Sequence, residues 1–257
     1  MKNPMPKLIG RKTALKIRPN TGVPDRYLSS DLILCSGEDA RELSKSAQEV
    51  VPGEKAAHYH YRCFHFWKYS KFTLALTGIG TGCLEPLIWE MVESGIVRRI
   101  ILIGTAGYIG TRSDRHGQVY LIHKAYVAGA GIHVRKMTSA IKPEFAGLDK
   151  LSIQSLEGIA GDYYYALAKS SDARILRAQA SDPVLAEAMR TVRKGDRLVD
   201  METPQFYKLC EIFGDGKLEY AAIRGVANTQ GAWDEQTQFA ASILTECMRQ
   251  SIGLLAQ

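Results

Sequence analysis

The sequence lacks any apolar run as long as the roughly 18 residues of a transmembrane helix, so an integral membrane protein is not expected. It also lacks an apolar segment after its basic residues 1–18, and a secretory signal is therefore not expected either. The five cysteines are odd in number and include no CxxC pair, which argues against a disulfide framework and predicts reduced, buried thiols. These absences together make a cytoplasmic protein the expectation.

The chain has a net charge of +6 and an isoelectric point near 9.0, but it contains no block of basic residues. Its Lys and Arg residues are dispersed, and no nucleic-acid-binding motif is present. A small anionic substrate explains the basic excess as well as a nucleic acid does, and a solvated basic surface needs no partner. We therefore expect a small-molecule substrate and neither a nucleic-acid nor a membrane partner.

The 257 residues suffice for one large α/β domain, and 46% of them are hydrophobic, as is usual for globular proteins. Short apolar runs alternate with segments of helical periodicity. This alternation indicates a doubly wound, three-layer domain, in which ligands bind at the carboxyl ends of the strands. The predicted strands are 31–35, 72–76, 99–103, 119–122, 152–159 and 220–226, and the predicted helices are 40–50, 84–93, 203–213 and 236–255.

Four short segments that adjoin predicted strands contain small or charged residues. They are 37–41 (GEDAR), 77–82 (TGIGTG), 104–107 (GTAG) and 199–202 (VDME). Each one alone is a weak signal, because glycine-rich turns often serve only close packing. In this order and at these spacings, the segments resemble those of the nucleoside phosphorylase and nucleosidase family, of the purine nucleoside and uridine phosphorylase type, which cleaves N-ribosidic bonds.

The resemblance covers residues 31–257 and leaves 1–30 as an N-terminal arm. It implies an α/β protein, a single-domain three-layer αβα sandwich with a central mixed, partly barrel-like sheet. It also implies a homo-oligomer, a dimer or a trimer of dimers, because members of this family often complete each site with residues of a neighbour. Phosphate would be a co-substrate, and the resemblance implies neither a cofactor nor a metal.

The resemblance places phosphate against Gly37, Arg41 and Thr105. A glycine lets the backbone approach an anion, an arginine forks onto phosphate oxygens, and Thr105 offers a hydroxyl and an N–H. Arg62 matches an arginine that reaches the phosphate of a neighbouring subunit. One departure is Leu102, where many phosphorylases of the family carry another phosphate-binding arginine.

Asp200, Met201 and Glu202 match the ribose site of the family. Glu202 would take part in catalysis by accepting hydrogen bonds from the vicinal hydroxyls, and the thioether of Met201 would lie under the sugar. At the start of any helix, the two carboxylates would instead serve only the helix dipole. The register of the other three segments favours the ligand role.

Base recognition would fall to Tyr164, within residues 161–165 (GDYYY), and to Asn228. Tyr164 would stack on the nucleobase, although three successive tyrosines on a strand also fit ordinary packing. Asn228 stands where many purine-directed members have an aspartic acid that protonates the leaving base. An amide cannot transfer that proton, so the catalytic role of Asn228 would be limited to a hydrogen bond, and Asp234 or Glu235 could supply the acid.

Alternation in residues 58–65 (HYHYRCFH) would place His58, His60 and Arg62 on one face if this segment is a strand. A metal site is conceivable there, but no carboxylate or second cysteine has a suitable spacing. We therefore predict no metal site, and a structural strand is the simplest interpretation.

Three functions stay open from the sequence. A phosphorylase, which forms the free base and ribose 1-phosphate, is favoured by Gly37, Arg41 and Thr105 and is our first expectation. A hydrolytic nucleosidase, acting on a nucleoside or a nucleotide, is favoured by Leu102 in place of arginine. A non-catalytic nucleoside-binding protein is favoured by Asn228, which cannot donate a proton.

Overall fold

The computed structural model describes residues 18–109, 115–127, 140–160, 196–228 and 236–257. Within these ranges a nine-stranded sheet is covered by four α-helices. The strands are β1 (Asp31–Ser36), β2 (Ala57–Tyr61), β3 (Phe64–Lys68), β4 (Thr73–Thr77), β5 (Arg99–Ile109), β6 (Val119–Val127), β7 (Ser155–Ala160), β8 (Arg197–Asp200) and β9 (Glu219–Asn228). The helices are α1 (Ala40–Val50), α2 (Thr81–Glu93), α3 (Thr203–Gly214) and α4 (Gln236–Leu255).

The sheet closes on itself at one end. The strand order is β2-β3-β4-β1-β5-β8-β7-β6-β9, and β9 also pairs with β5. Residues 99–106 of β5 run parallel to β9, the register shifts between Ala106 and Gly107, and the end of β5 then pairs antiparallel with β8. An irregularity of this kind lets a strand bend from one neighbour to another. The predicted mixed, partly barrel-like sheet is confirmed.

Alternate residues of β1 face two separate cores. Leu32 and Leu34 belong to the core under α2 and α3, while Ile33 and Cys35 belong to the core under α1 and α4. A strand that is covered on both faces needs apolar residues at successive positions, which explains why this segment has no polar alternation. The helices thus form the two outer layers of the predicted sandwich. None of the helices in the described ranges is long and apolar enough to span a membrane.

Helix α1 begins directly after the first strand because Asp39 caps it. Asp39 Oδ1 accepts hydrogen bonds from the backbone N–H of Arg41 at 2.8 Å and of Glu42 at 3.1 Å. These two bonds lower the pKa of the Asp39 carboxyl. Asp39 therefore has a local structural role on the exposed side of the 37–41 turn.

Residues 18–30, which belong to the predicted N-terminal arm, pack against the domain. The buried carboxylate of Glu90 in α2 accepts hydrogen bonds from the backbone N–H and side-chain amide of Asn20, both at 2.8 Å. It also accepts from the N–H of Thr21 at 3.0 Å and from its hydroxyl at 2.6 Å. Val23 and Leu28 enter the core on the same side. A fully hydrogen-bonded buried carboxylate thus holds this segment in place.

Strands β2 and β3 form a hairpin at the edge of the sheet, where the sequence indicates a single strand. Tyr61 pairs with Phe64, and Arg62 lies in the turn with a φ of 55°. The expectation that Arg62 shares a strand face with His58 and His60 is therefore wrong, because the chain reverses at Arg62. Strand β8 is also absent from the predicted elements, since its four residues are too few to give a pattern.

Candidate functional site

The candidate site lies where the carboxyl ends of β1, β4, β5 and β9 come close to the start of α3. Strands β4 and β5 are both parallel to β1, and β9 is parallel to β5, so these ends share one edge of the sheet. Residues of all four motif segments meet there. This is the edge at which ligands bind in open α/β sheets.

Arg224 of β9 is the buried cation of the site, with 1% of its surface exposed. Its Nε lies 3.1 Å from Asp200 Oδ2 and donates to Thr203 Oγ1 at 3.0 Å. Its Nη1 donates to the carbonyl of Ile103 at 3.1 Å, and its Nη2 donates to Glu202 Oε2 at 3.4 Å. Burial alone would lower the pKa of Arg224, but the carboxylates of Asp200 and Glu202 raise it, so the guanidinium stays charged.

Gly104 lies opposite Arg224 in the pairing of β5 with β9 and makes room for the guanidinium. A Cβ atom at Gly104 would collide with Arg224 Nη1 and would lie 3.6 Å from Glu38 Oε1. The residue also has a φ of 147°, which side-chain-bearing residues rarely adopt. Gly104 is therefore needed for the close approach of Arg224 to this stretch of backbone.

Asp200 orders the turn between β8 and α3. Its Oδ1 accepts hydrogen bonds from the N–H of Glu202 at 2.8 Å and of Thr203 at 2.6 Å, and its Oδ2 accepts from the Thr203 hydroxyl. These bonds satisfy two N–H groups at the start of the helix. Because the carboxylate is engaged with the protein itself, a direct contact between Asp200 and ribose stays a prediction.

Glu202 is held in a single orientation next to Arg224. Its Oε1 accepts a hydrogen bond from the N–H of Gly80 at 2.9 Å, and only 5% of the residue is exposed. Burial raises the pKa of the Glu202 carboxyl, and this effect outweighs the opposing attraction of Arg224. The glycine-rich turn 77–82 and the 199–202 segment therefore form one unit. Such an oriented acceptor suits the hydroxyl groups of a sugar, and that role stays a prediction.

Glu38 occupies both hydrogen-bond donors that the sequence analysis assigns to phosphate. Its Oε1 accepts from the N–H of Thr105 at 2.9 Å and from the Thr105 hydroxyl at 2.7 Å. A carboxylate of the protein thus stands where a phosphate oxygen is expected. Hydrogen bonds to charged groups contribute about 1.5–3 kcal/mol each. The cost of breaking these two bonds to displace Glu38 would therefore oppose phosphate binding.

The backbone N–H of Gly37 is also engaged. It donates to the carbonyl of Thr77 at 3.0 Å. The φ of Gly37 is 75°, and a Cβ atom there would lie 2.6 Å from Ile79 Cγ1. The backbone conformation and the packing against Ile79 both require a glycine at position 37. Its phosphate-binding role stays a prediction.

Arg41 and Arg62 are both exposed. Arg41 lines a surface pocket of about 380 Å³ together with residues that include His58 and Trp67. The guanidinium of Arg62 lies 5.1 Å from the ring centroid of the tyrosine before it. Among the described contacts, neither arginine is hydrogen-bonded to Thr105, so their phosphate-binding roles stay predictions.

The predicted sugar and base contacts are only partly within the described ranges. Met201 is half-buried in the turn before α3. Asn228 is the last residue of β9, and its backbone lies opposite Gly107 of β5. Tyr164 and Asp234 lie outside the described residues. The roles of these residues in base or sugar binding stay predictions.

The described part of the site is acidic. Three carboxyl groups (Asp200, Glu202 and Glu38) surround one guanidinium, that of Arg224. Leu102, which stands in place of the family arginine, is fully buried in the apolar core. Within the described ranges, no group of three or more His, Cys, Asp and Glu side chains could hold a metal ion.

Arg224 and the contact made by Glu38 are the site features that sequence reasoning misses. Arg224 is the single charge in the predicted strand 220–226 (YAAIRGV). A lone arginine in a buried strand requires buried partners, and this signal could have identified it. No local signal exists for Glu38, because Thr105 is 67 residues away in the sequence.

Neither a family model nor a curated protein sequence matches the chain, but solved structures do. The purine nucleoside phosphorylase of Toxoplasma gondii, in complex with immucillin-H, is 19% identical, with a TM-score of 0.66 and coverage of 94% of this chain and 95% of that one. Futalosine hydrolase of Helicobacter pylori is 12% identical, with a TM-score of 0.61 and coverage of 89% and 99%. The 5'-methylthioadenosine/S-adenosylhomocysteine nucleosidase of Colwellia psychrerythraea, in complex with adenine, is 13% identical, with a TM-score of 0.60 and coverage of 89% and 95%.

At such low identities, the similarity establishes the fold and not the activity. The chain has the fold shared by nucleoside phosphorylases and nucleosidases, as its four motif segments predict.

Proposed function

We propose that the protein cleaves the N-ribosidic bond of a nucleoside and that water, rather than phosphate, is the nucleophile. The structures that share its fold are named as a phosphorylase and as hydrolytic enzymes, so the fold is compatible with either nucleophile. Cleavage is supported by Glu202, a buried and oriented acceptor at the ligand-binding edge of the sheet. The choice of water depends on the neighbouring Glu38.

The contact between Glu38 and Thr105 is the observation that carries the proposal. An incoming phosphate would lose both Thr105 donors and would approach the carboxylate that holds them. Two like unit charges at roughly 4 Å repel by roughly 4 kcal/mol at an effective dielectric constant of about 20. A neutral water molecule avoids this repulsion, so the acidic surroundings favour hydrolysis.

The arrangement suggests a role for each side chain. Within the described residues, only Oε1 of Glu38 is hydrogen-bonded, which leaves Oε2 to take a proton from the attacking water. Glu202 would orient the ribose hydroxyls, while Arg224 positions Glu202. The carboxylates would also stabilise the positive charge that develops on the ribosyl group as the bond to the base breaks. The products would be the free base and ribose.

Phosphorolysis is the second candidate, and the exposure of Arg41 and Arg62 favours it. Both cations are accessible to an anion, and Arg62 could act on the site of a neighbouring subunit in an oligomer. Phosphate binding would then require Glu38 to leave Thr105 or to become protonated. The two reactions differ in their sugar product, so they can be separated by experiment.

The test is incubation of the protein with inosine, guanosine, uridine or adenosine, with and without phosphate, followed by identification of the sugar. We expect ribose, formed at a rate that does not depend on phosphate. Ribose 1-phosphate at a rate that rises with phosphate would overturn the choice of water. Tight nucleoside binding without turnover would identify a non-catalytic binding protein instead.

Glu38→Gln tests the assigned base directly. The amide oxygen can still accept from Thr105, but the side chain can no longer take a proton, so kcat should fall by about 10²–10⁴-fold. Asp39→Asn is the matched control, because asparagine caps a helix as well as aspartate does and we expect unchanged activity. An equal loss in both variants, or no loss in Glu38→Gln, would contradict the role of Glu38.

A further inference from the structure

Two cysteines lie side by side next to the candidate site. Cys63 is exposed in the turn of the β2–β3 hairpin, Cys83 is half-buried in the first turn of α2, and their Sγ atoms are 4.0 Å apart. The other three cysteines are buried, as the sequence analysis predicts. The prediction of buried thiols is therefore wrong for this pair, which the hairpin brings together across 20 residues of sequence.

The surroundings leave room for the two sulfur atoms. A Cβ atom at Gly78 would lie 3.1 Å from Cys83 Sγ and 3.8 Å from Cys63 Cβ, so a larger residue at that position would crowd the pair. A disulfide has an S–S distance of about 2.05 Å, so the sulfurs must approach by about 2 Å. Cys63 is exposed in the turn, so the packed core does not hold its side chain in place.

We propose that Cys63 and Cys83 are a modification site that forms a reversible intrachain disulfide with a small-molecule disulfide such as oxidised glutathione. Cys63, which is accessible, loses its proton to solvent and attacks one glutathione sulfur, and one glutathione thiolate leaves. Cys83 then loses its proton and attacks the Cys63 sulfur, and the second glutathione leaves. The two protein thiols are oxidised, and the glutathione disulfide is reduced to two thiols.

The order of these two steps follows from the environment of each thiol. Burial raises the pKa of the Cys83 thiol, and the neighbouring Cys63 raises it further. Cys83 therefore has less thiolate with which to attack a reagent in solution. It is nonetheless placed within 4.0 Å of the sulfur that it must attack in the second step.

The disulfide would act on the turn that positions Glu202. This turn is bound to the site at two points: the Gly78 carbonyl accepts from the Ser36 hydroxyl at 3.0 Å, and the Gly80 N–H donates to Glu202. Cys83 follows the same turn, and its own N–H donates to the Gly80 carbonyl at 3.4 Å. A bond from Cys83 to the hairpin would tie this turn to a second element and restrict its local opening.

The test treats the full-length protein with oxidised glutathione and maps its peptides by mass spectrometry without reduction. We expect loss of two of the five thiols, a chain lighter by about 2 Da, and a Cys63–Cys83 cross-link that dithiothreitol removes. Cys83→Ser should retain glutathione on Cys63, and Cys63→Ser should form no cross-link. Unmodified thiols, a stable glutathione adduct on wild-type Cys63, or chains cross-linked to each other would overturn the proposal.

Hydrogen–deuterium exchange tests the effect on the turn without any substrate. In the oxidised wild-type protein, the amides of residues 78–83 should exchange more slowly than in the reduced protein. The two single-serine variants, treated in the same way, should show no such difference. Equal exchange in the oxidised and reduced wild-type proteins would overturn the coupling to the turn. Neither measurement depends on nucleoside cleavage, so this proposal can fail or stand independently of the proposed function.

Discussion

Replacement of Arg224 by methionine would test the electrostatics of the buried site. Methionine fills much of the same volume but leaves the carboxylates of Asp200 and Glu202 without their counter-charge. Removal of one partner from a buried ion pair costs about 3–5 kcal/mol, because the remaining charge stays buried and uncompensated. Domains of this kind are stable by about 5–15 kcal/mol in total. We therefore expect Arg224→Met to lose a large part of its free energy of unfolding.

The assay is urea unfolding, with the loss taken from the shift of the midpoint at an unchanged slope. The loss should be smaller at acidic pH. Burial already raises the pKa of the Glu202 carboxyl, and loss of the opposing attraction of Arg224 would raise it further. A group whose pKa is raised by folding binds protons more readily in the folded state, so the stability of the variant falls as pH rises above the unfolded value. Comparison of unfolding near pH 5 and pH 8 would show this trend.

Lys208→Met is the control for removal of any positive charge. Lys208 forms an exposed ion pair with Glu211 at 2.7 Å, with side chains 51% and 48% exposed, and such pairs contribute only about 0.2–1 kcal/mol. A loss in Arg224→Met no larger than that of the control would refute the reasoning. Addition of Asp200→Asn to Arg224→Met should recover part of the loss, because one of the unpaired charges is then removed.

Three further variants test separate parts of the site. Glu202→Ala should raise KM or abolish turnover, because ribose loses an oriented acceptor, and steady-state rates within about twofold of wild type would remove Glu202 from the site. Gly104→Ala should lower the free energy of unfolding by about 1–3 kcal/mol, because the alanine Cβ would collide with Arg224 and the φ at this position is unfavourable for alanine. An unchanged midpoint in thermal or urea unfolding would contradict this. Asn228→Asp should improve adenosine cleavage relative to inosine cleavage if the lack of an acid limits the wild type. A strong wild-type preference for adenosine that the substitution does not change would contradict the role of Asn228.

The buried strands and helices can be predicted because their patterns report local burial. The segment 99–103 (RIILI) is a strand covered on both faces, and its apolar run expresses that directly. The continuation of β5 to Ile109 cannot be predicted in this way, since residues 104–107 (GTAG) interrupt the apolar run and the partners of this part, β8 and β9, are distant in sequence. Closure of the sheet depends on pairing between strands that are far apart in the sequence, so no local sequence pattern predicts it.

The candidate site shows the same division between local and long-range signals. The four motif segments identify the edge of the sheet, and the contacts of Gly80 with Glu202 and of Glu38 with Thr105 show that they meet there. The segments do not show which groups bind each other. Gly37 and Thr105 are expected from the sequence to bind a phosphate, whereas in the structure their N–H groups bind Thr77 and Glu38.

The departure at Leu102 is explained by the pairing of β5 with β9. Leu102 pairs with Ala222, and Gly104 pairs with Arg224 two residues further along. The arginine of this site therefore comes from β9, where it lies opposite Gly104, and not from position 102 of β5. Because Arg224 is bound by two carboxylates, it neutralises the protein's own acids and offers little to an anion. With the Glu38 carboxylate bound to Thr105, the site opposes an anionic ligand more than a neutral one. This difference is the reason that we propose water, and not phosphate, as the nucleophile.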